Sequence, residues 1–329
     1  MTPKTLLLTQ RDLARLIDVD TAIRVVRQAF RSTARGEAVT PAKLYLPLAD
    51  HSDFRAMPAW LKRPAACGVK WVNVHPANPR AGLPTVMALM ILNDPKTGAP
   101  LAVMDGVLIT KLRTAAAAAV AAQVLARPES RVAALVGCGA QAQAQLLALA
   151  RLFRLARVRV WGYAPREAEW WCRRVGVAAP QVACEPCATV ERCVRGADLV
   201  VTLTPSRRPL VKREWLSPGA HVNAIGADAP GKQELEPGIL LQATVVVDDR
   251  AQAVHGGELN VPVRRGQFRA SAVYASLGEI LAGRKAWHRR PGEITVFDST
   301  GLAVHDVALA AEAFRRAVRR GLGRRIAFF

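Results

Sequence analysis

Apolar residues recur at two different periods along this chain, and the change of period divides it. Near the start, Thr9 and Asp12 form a capping-box-like opening ahead of Leu13, Leu16 and Ile17, with aspartate standing in for the usual glutamate. Asp20 is placed to cap a second helix whose Ile23, Val26, Ala29 and Phe30 fall on one face, ending near Gly36. Between residues 43 and 93 the pattern shortens to strand-like runs at 43–46, 54–57, 68–72 and 85–92. Pro58, Pro64, Pro84 and Pro95-Lys96-Thr97-Gly98 punctuate them. This stretch reads as a mostly antiparallel sheet with its own core.

An alanine-rich helix, about 110–127, leads to a different regime in which strands and helices alternate. Strands are expected at 132–136, 158–161, 181–184, 198–204, 221–225, 244–248 and 294–298, with helices near 141–153 and 166–174 and another ending at Gly196. Short β-branched runs separated by helices argue for a parallel sheet covered on both faces. A final helix, about 304–321, is not placed by its pattern alone.

Hydrophobic residues make up 51% of the 329 and charged residues 22%, a globular composition that excludes wholesale disorder. The longest apolar stretch, 115–126, is interrupted by Gln123 and falls short of the ~20 residues that span a bilayer. Met1-Thr2-Pro3-Lys4 is not a basic head followed by an apolar run, so a cytoplasmic protein without a membrane partner is expected. Cys184-Glu185-Pro186-Cys187 with Cys193 nearby lacks a second pair to complete a tetrahedral metal site. No metal is therefore expected, and the thiols read as buried or idle. The net charge of +20 suggests nucleic acid, but the arginines are scattered, without interleaved aromatics or a recognisable binding motif. No nucleic-acid partner is expected. Anionic substrates or cofactors would benefit from such a field.

Gly137-Cys138-Gly139-Ala140-Gln141-Ala142 follows an expected strand and precedes an expected helix. That is the G-x-G-x-x-A form of the dinucleotide turn. The first glycine permits the tight turn, the second admits backbone to a pyrophosphate, and the helix N-terminus faces the anion. The fold class is accordingly α/β, with a Rossmann-type doubly wound parallel sheet. An acidic residue should end the next strand to receive a ribose 2′-hydroxyl, yet Val160-Trp161-Gly162-Tyr163-Ala164-Pro165-Arg166 offers none there. Arg166 would suit a 2′-phosphate or serve as a plain surface arginine, which leaves NAD and NADP both open.

Three basic residues stand among apolar neighbours in the first half: Lys43, Arg55 and Lys70. Each either snorkels to solvent from a half-exposed strand or joins the others in a carboxylate-binding pocket. Arg113 and Thr114 are read as opening the alanine-rich helix, where free N–H groups would hold phosphate. Asp228 follows a strand of the second half and is a candidate catalytic carboxylate, or the cap of a helix beginning near Lys232.

Whole segments then match a known pattern. They include Lys70-Trp71-Val72-Asn73, residues 82–93, Pro100-Leu101-Ala102-Val103-Met104-Asp105, Leu112-Arg113-Thr114-Ala115, the glycine turn, residues 223–235, His255-Gly256-Gly257-Glu258-Leu259-Asn260 and residues 297–303. In that order they resemble the ornithine cyclodeaminase/mu-crystallin family over essentially the whole chain. Residues 41–46, 277–283 and Ile326-Ala327-Phe328-Phe329 look most like its archaeal-type alanine dehydrogenases.

The resemblance implies a smaller α+β substrate-binding and dimerisation domain, residues 1–120 plus 304–329, and a dinucleotide-binding domain, 121–303. It implies a homodimer and a small amino-acid or imine substrate, its carboxylate held by Arg55 and Lys70 with Lys43 nearby. Arg113, Thr114, Gly137, Gly139, Ala140 and Gln141 would hold the cofactor pyrophosphate, with Ser299 and Gly301 near the nicotinamide. Asp228 would serve proton transfer and water activation, while Lys70, desolvated between apolar neighbours, is on its own reading a candidate for proton transfer as well as binding. The implied activity is NAD(P)-dependent oxidation of a small L-amino acid to a 2-oxo acid and ammonia, or reduction of the matching imine. Cyclodeamination of ornithine to proline, reduction of cyclic ketimines and a non-catalytic binding role are the rival readings. The chain departs from the pattern at the end of the second strand, where those dehydrogenases carry an aspartate in place of Gly162 or Tyr163.

Overall fold

The computed structural model describes residues 4–328; Met1, Thr2, Pro3 and Phe329 lie outside the described residues. The chain forms two compact units, one running up to Arg113 and resuming at Leu302, the other Thr114–Gly301.

The first unit opens with a strand, β1 (Lys4–Leu8), that the apolar pattern had not separated from the helical entry. In α1 (Gln10–Leu16) the capping box forms as expected: the Thr9 hydroxyl accepts from Asp12 N, and Asp12 Oδ2 accepts from Thr9 N at 3.0 Å. The cap of α2 (Val19–Ala34) is Asp18 rather than Asp20, its Oδ1 accepting from Thr21 N at 2.8 Å. Strands β2 (Ala38–Val39), β3 (Leu44–Pro47), β4 (Asp53–Leu61), β5 (Ala66–Val74), β6 (Val86–Asn93) and β7 (Pro100–Asp105) follow. Pro58 does not end β4. It lies between the stretch paired with β3 and the stretch paired with β2, an open edge where a strand tolerates the missing N–H.

Helix α3 (Val107–Leu125) begins three residues before the expected start, because the Asp105 carboxylate accepts from Val107 N and Leu108 N at 3.2 and 2.8 Å. It is long and apolar enough to cross a membrane, but Ala115–Ala122 are buried, the setting of a core helix.

The second unit runs β8 (Val132–Val136), α4 (Ala142–Leu152), β9 (Arg157–Trp161), α5 (Pro165–Ala178), β10 (Ala183–Pro186), α6 (Val190–Val194), β11 (Leu199–Thr202) and β12 (Arg207–Val211). It continues through β13 (His221–Ala224), β14 (Gln233–Leu235), α7 (Pro237–Gln242), β15 (Thr244–Val247), α8 (Arg250–Gly256), α9 (Asn260–Arg264), β16 (Ala275–Ser276), α10 (Leu277–Leu281) and β17 (Thr295–Asp298). The main sheet has the order β10-β9-β8-β11-β13-β17-β15-β16, with every neighbouring pair parallel. Strand order reverses between β8 and β11, the switch point beside which such sheets bind ligands. Val136, Val200, Val222, Val245 and Val296 pack in its core, which explains the β-branched runs. Cys172 of α5 and Cys184 of β10 form a disulfide, correcting the expectation of idle thiols.

The chain then returns to the first unit through α11 (Ala303–Arg320) and β18 (Arg324–Ala327). β18 pairs antiparallel with β1, giving the order β18-β1-β7-β6-β5-β4-β2 with β3 also on β4; only β1–β7 is parallel. α11 packs against α2, β4, β5 and β6, so the helix left unplaced by its pattern covers one face of this sheet. Met57, Ala59, Lys70, Val72, Met90 and Leu92 are buried, whereas Trp60, Trp71, Met87, Leu89 and Ile91 are exposed. Strand alternation assigns the two sets to opposite faces.

Candidate functional site

Lys70 does not snorkel. Strand alternation puts it on the buried face of β5, where it is only 1% exposed. Its Nζ donates to Asp306 Oδ1 at 2.9 Å and to Thr110 Oγ1 at 3.2 Å. Arg113 Nε donates to the same Asp306 oxygen at 3.1 Å. Two buried cations thus share one carboxylate oxygen. Asp306 Oδ2 and both ring nitrogens of the neighbouring His305 have no partner among the described residues.

Burial pushes the Lys70 ammonium down to about 7, with Arg113 and Lys43 adding to the fall and Asp306 opposing it. Burial works against ionisation of Asp306, but Arg113 and Lys70 outweigh it and hold that carboxyl below its ordinary value. Burial drives His305 down to about 3, so the ring, packed edge-on to Phe30 at 4.3 Å, is neutral.

Arg55 is engaged within its own strand. Its fork is engaged by Asp53, Nε to Oδ1 at 2.8 Å and Nη2 to Oδ2 at 2.9 Å, and it stacks over Tyr45. Lys43 lies half-buried just before β3, outside the strand, and close enough for its charge to act on Lys70. Arg113 and Thr114 do not open a helix: they sit within α3, past its free amides, so the expected phosphate grip from helix N–H groups fails there. The terminal nitrogens of Arg113 nevertheless carry no hydrogen bond among the described residues, leaving a fork free for a carboxylate or phosphate. Asp306 and Asp53 escaped the sequence-based expectations. Asp53 was legible, two residues from Arg55 on the same strand face; Asp306 showed only as an acid between Val304 and Val307.

In the second unit, the glycine turn ends β8 beside the strand reversal and lines a cavity of about 670 Å³ with Cys138, Gly162, Glu167 and Thr204. Gly137 has φ of +115°, and a β-carbon there would lie 3.1 Å from the Leu203 carbonyl group and from Thr204 Cγ2. Around Gly139 a β-carbon would meet nothing within 4 Å, so its backbone faces open space. Ala140 and Gln141 lead into α4, and the N–H groups of Gly139 and Ala140 find no acceptor among the described residues. This cradle fits a dinucleotide pyrophosphate.

Ser299 and Gly301 follow β17. Asp248, at the end of β15, holds their turn by accepting from Ser299 Oγ (3.4 Å), Thr300 Oγ1 (3.0 Å) and Gly301 N (2.7 Å). Buried Glu234 accepts from Thr204 N and Oγ1 at 2.6 and 2.7 Å and from Gly226 N at 2.9 Å, clamping the ends of β11 and β13. Burial pushes its carboxyl up to about 7. Asp228 lies beyond the end of β13, but it caps no helix: turn and β14 follow, and its Oδ1 accepts from Lys232 Nζ at 2.6 Å.

The profile of the Ornithine cyclodeaminase/mu-crystallin family matches residues 3–320. The chain belongs to that family. Alanine dehydrogenase of Archaeoglobus fulgidus is 48% identical over 99% of both chains. A solved archaeal alanine dehydrogenase dimer with bound NAD superposes with a TM-score of 0.94 at 47% identity, covering 99% of this chain and 100% of that one. Among further family members, Thermococcus litoralis Δ1-pyrroline-2-carboxylate reductase, solved with NADH and L-proline, gives 0.95 at 32% identity over 98% of this chain and 100% of that one. Membership accounts for the order of the segments noted in the sequence.

Proposed function

We propose that this chain is an NAD(P)-dependent oxidoreductase of small L-amino acids, working as an alanine dehydrogenase does: amino acid and water give 2-oxo acid and ammonia, reversibly. The observation that carries the reading is the buried Lys70–Asp306–Arg113 arrangement, supported by the likeness to alanine dehydrogenases over the full chain. A bound nicotinamide supplies the hydride acceptor or donor for the substrate α-carbon. The glycine turn, Gly137 to Gln141, would hold its pyrophosphate, and the turn fixed by Asp248 would carry Ser299 and Gly301 toward the nicotinamide end.

The chain's own residues divide the remaining work. Arg113 grips the substrate carboxylate with its free fork, joined by Lys70 and, more remotely, Lys43; Arg55, tied to Asp53, shapes that wall rather than offering its fork. Lys70, titrating near neutrality, takes or returns a proton at the substrate nitrogen. Asp228 serves as the base that activates water. The exposed apolar set Trp60, Trp71, Met87, Leu89 and Ile91 is the proposed homodimer surface, consistent with the dimeric archaeal relative. Residence in the cytoplasm is part of the same proposal.

The pyrroline-2-carboxylate reductase likeness favours a second reading, reduction of a cyclic imine at the same site. Incubating purified protein with L-alanine, L-ornithine or pyrroline-2-carboxylate and either coenzyme separates the cases by nicotinamide absorbance and product assay. Coenzyme reduction with alanine supports the dehydrogenase. Proline formed from the imine with coenzyme oxidation, and no reaction with alanine, replaces it by the reductase; proline from ornithine without net coenzyme change replaces it by the cyclodeaminase. Lys70→Ala is expected to abolish turnover while coenzyme still binds.

A further inference from the structure

The sequence left the choice of coenzyme open because the strand β9 ends in Gly162 and Tyr163 rather than an acid. The structure shows why no side chain stands at 162. A β-carbon there would lie 2.6 Å from Cys138 Sγ, 3.1 Å from Glu167 Oε2 and 3.2 Å from Glu167 Cβ. The space an aspartate would enter is therefore filled, in part by another carboxylate. Glu167 belongs to the first turn of α5, and its Oε2 accepts from Ala164 N at 3.4 Å and from Cys138 Sγ at 4.0 Å. It lines the same cavity as the glycine turn. In a chain where Glu169, Glu185 and Glu191 all pair with arginines, Glu167 forms no ion pair among the described residues.

We propose that Glu167 is the coenzyme-discriminating residue, a helix-borne replacement for the missing strand-end acid, and that it makes this enzyme prefer NAD(H). This rests on the dinucleotide reading of the cavity. The unpaired carboxylate accepts a hydrogen bond from the ribose 2′-hydroxyl and repels a 2′-phosphate, which is acceptor-only and doubly charged near neutrality. Arg166 lines the same cavity and opposes this; both side chains are exposed and screened alike, so geometry decides between them. Glu167 is the better placed of the two, being tethered to backbone and packed against Gly162.

The test is binding of NADH and NADPH to the full-length protein, by calorimetry and by energy transfer from tryptophan to the reduced nicotinamide. Glu167→Gln keeps a side chain able to reach the Ala164 N–H, so it removes charge without removing the helix cap. Wild type is expected to bind NADH tighter than NADPH by about 10-fold or more, and Glu167→Gln to shrink that ratio about 10-fold, chiefly through gained NADPH affinity. Arg166→Ala should widen the ratio, and Glu169→Gln, on the same helix and away from the cavity, should leave it unchanged. Tighter NADPH binding in wild type, or a ratio unmoved by Glu167→Gln, overturns the assignment while leaving the coenzyme site intact. Failure of wild type to bind either dinucleotide removes the cavity reading itself, and the assignment with it.

Discussion

Replacing Asp306 by asparagine keeps the side chain's size and removes the one anion shared by two buried cations. In the native protein, Lys70 and Arg113 both donate to Asp306 Oδ1, and the side-chain exposures of the three are 1%, 8% and 0%. Stripping a buried ion pair of one partner costs about 3–5 kcal/mol, because the charge left behind is neither solvated nor matched. The cost should depend on pH. Lys70 titrates near 7 in the folded protein against 10.5 for the ordinary side chain. Over that window the unfolded chain binds the proton more than the folded one does, so native stability rises with pH.

Asp306 opposes the burial that lowers Lys70, so in the variant the Lys70 value falls further and the window extends to lower pH. At pH 6 the native lysine keeps its proton against Asp306, while the variant must expel it or bury it unpaired. By pH 9 Lys70 is neutral in both, and what Asp306→Asn removes is mainly the charge-assisted bond to Arg113, about 1.5–3 kcal/mol. Urea unfolding followed by circular dichroism at pH 6 and pH 9 reads both values, and the acid limb of the kcat/KM profile should move to lower pH in parallel. A loss below about 1 kcal/mol at pH 6, the range of exposed pairs, would refute the reasoning. So would equal losses at the two pH values.

Gly137→Ala forces a side chain into a φ of +115° and against Leu203 and Thr204; strain of about 1–3 kcal/mol is expected, seen as a lower Tm and a smaller thermal shift on adding NADH. Asp248→Ala removes the acceptor shared by Ser299 Oγ, Thr300 Oγ1 and Gly301 N, so KM for coenzyme should rise and stability fall by about 1–3 kcal/mol. Cys172→Ser opens the loop closed by the disulfide to Cys184 and should cost about 3 kcal/mol in non-reducing buffer; adding dithiothreitol should bring the native protein to the same midpoint, and a difference that persists would point to packing instead.

Much of the second unit was legible because its signals are local. A glycine turn between an apolar strand and a helix needs no distant partner to be recognised, and parallel strands buried on both faces announce themselves as β-branched runs. Helix ends were less secure: Asp18 and Asp20 are both able to cap α2, and only the backbone path chose Asp18. The first strand was missed by the apolar pattern, and the last entered the first unit's sheet only through the family resemblance, since β1 and β18 lie at opposite ends of the sequence and neither alternates clearly.

By itself, then, the order of residues determined the alternating architecture, the phosphate-binding turn and the family pattern, all written in spacings of a few positions. Tertiary structure alone decided which charges meet. Lys70 and Asp306 are separated by 236 positions, and their contact depends on α11 returning to cover the sheet. Burial then converted an ordinary lysine into one that titrates near neutrality, an effect of desolvation and neighbouring charge that exists only once the chain has closed around it.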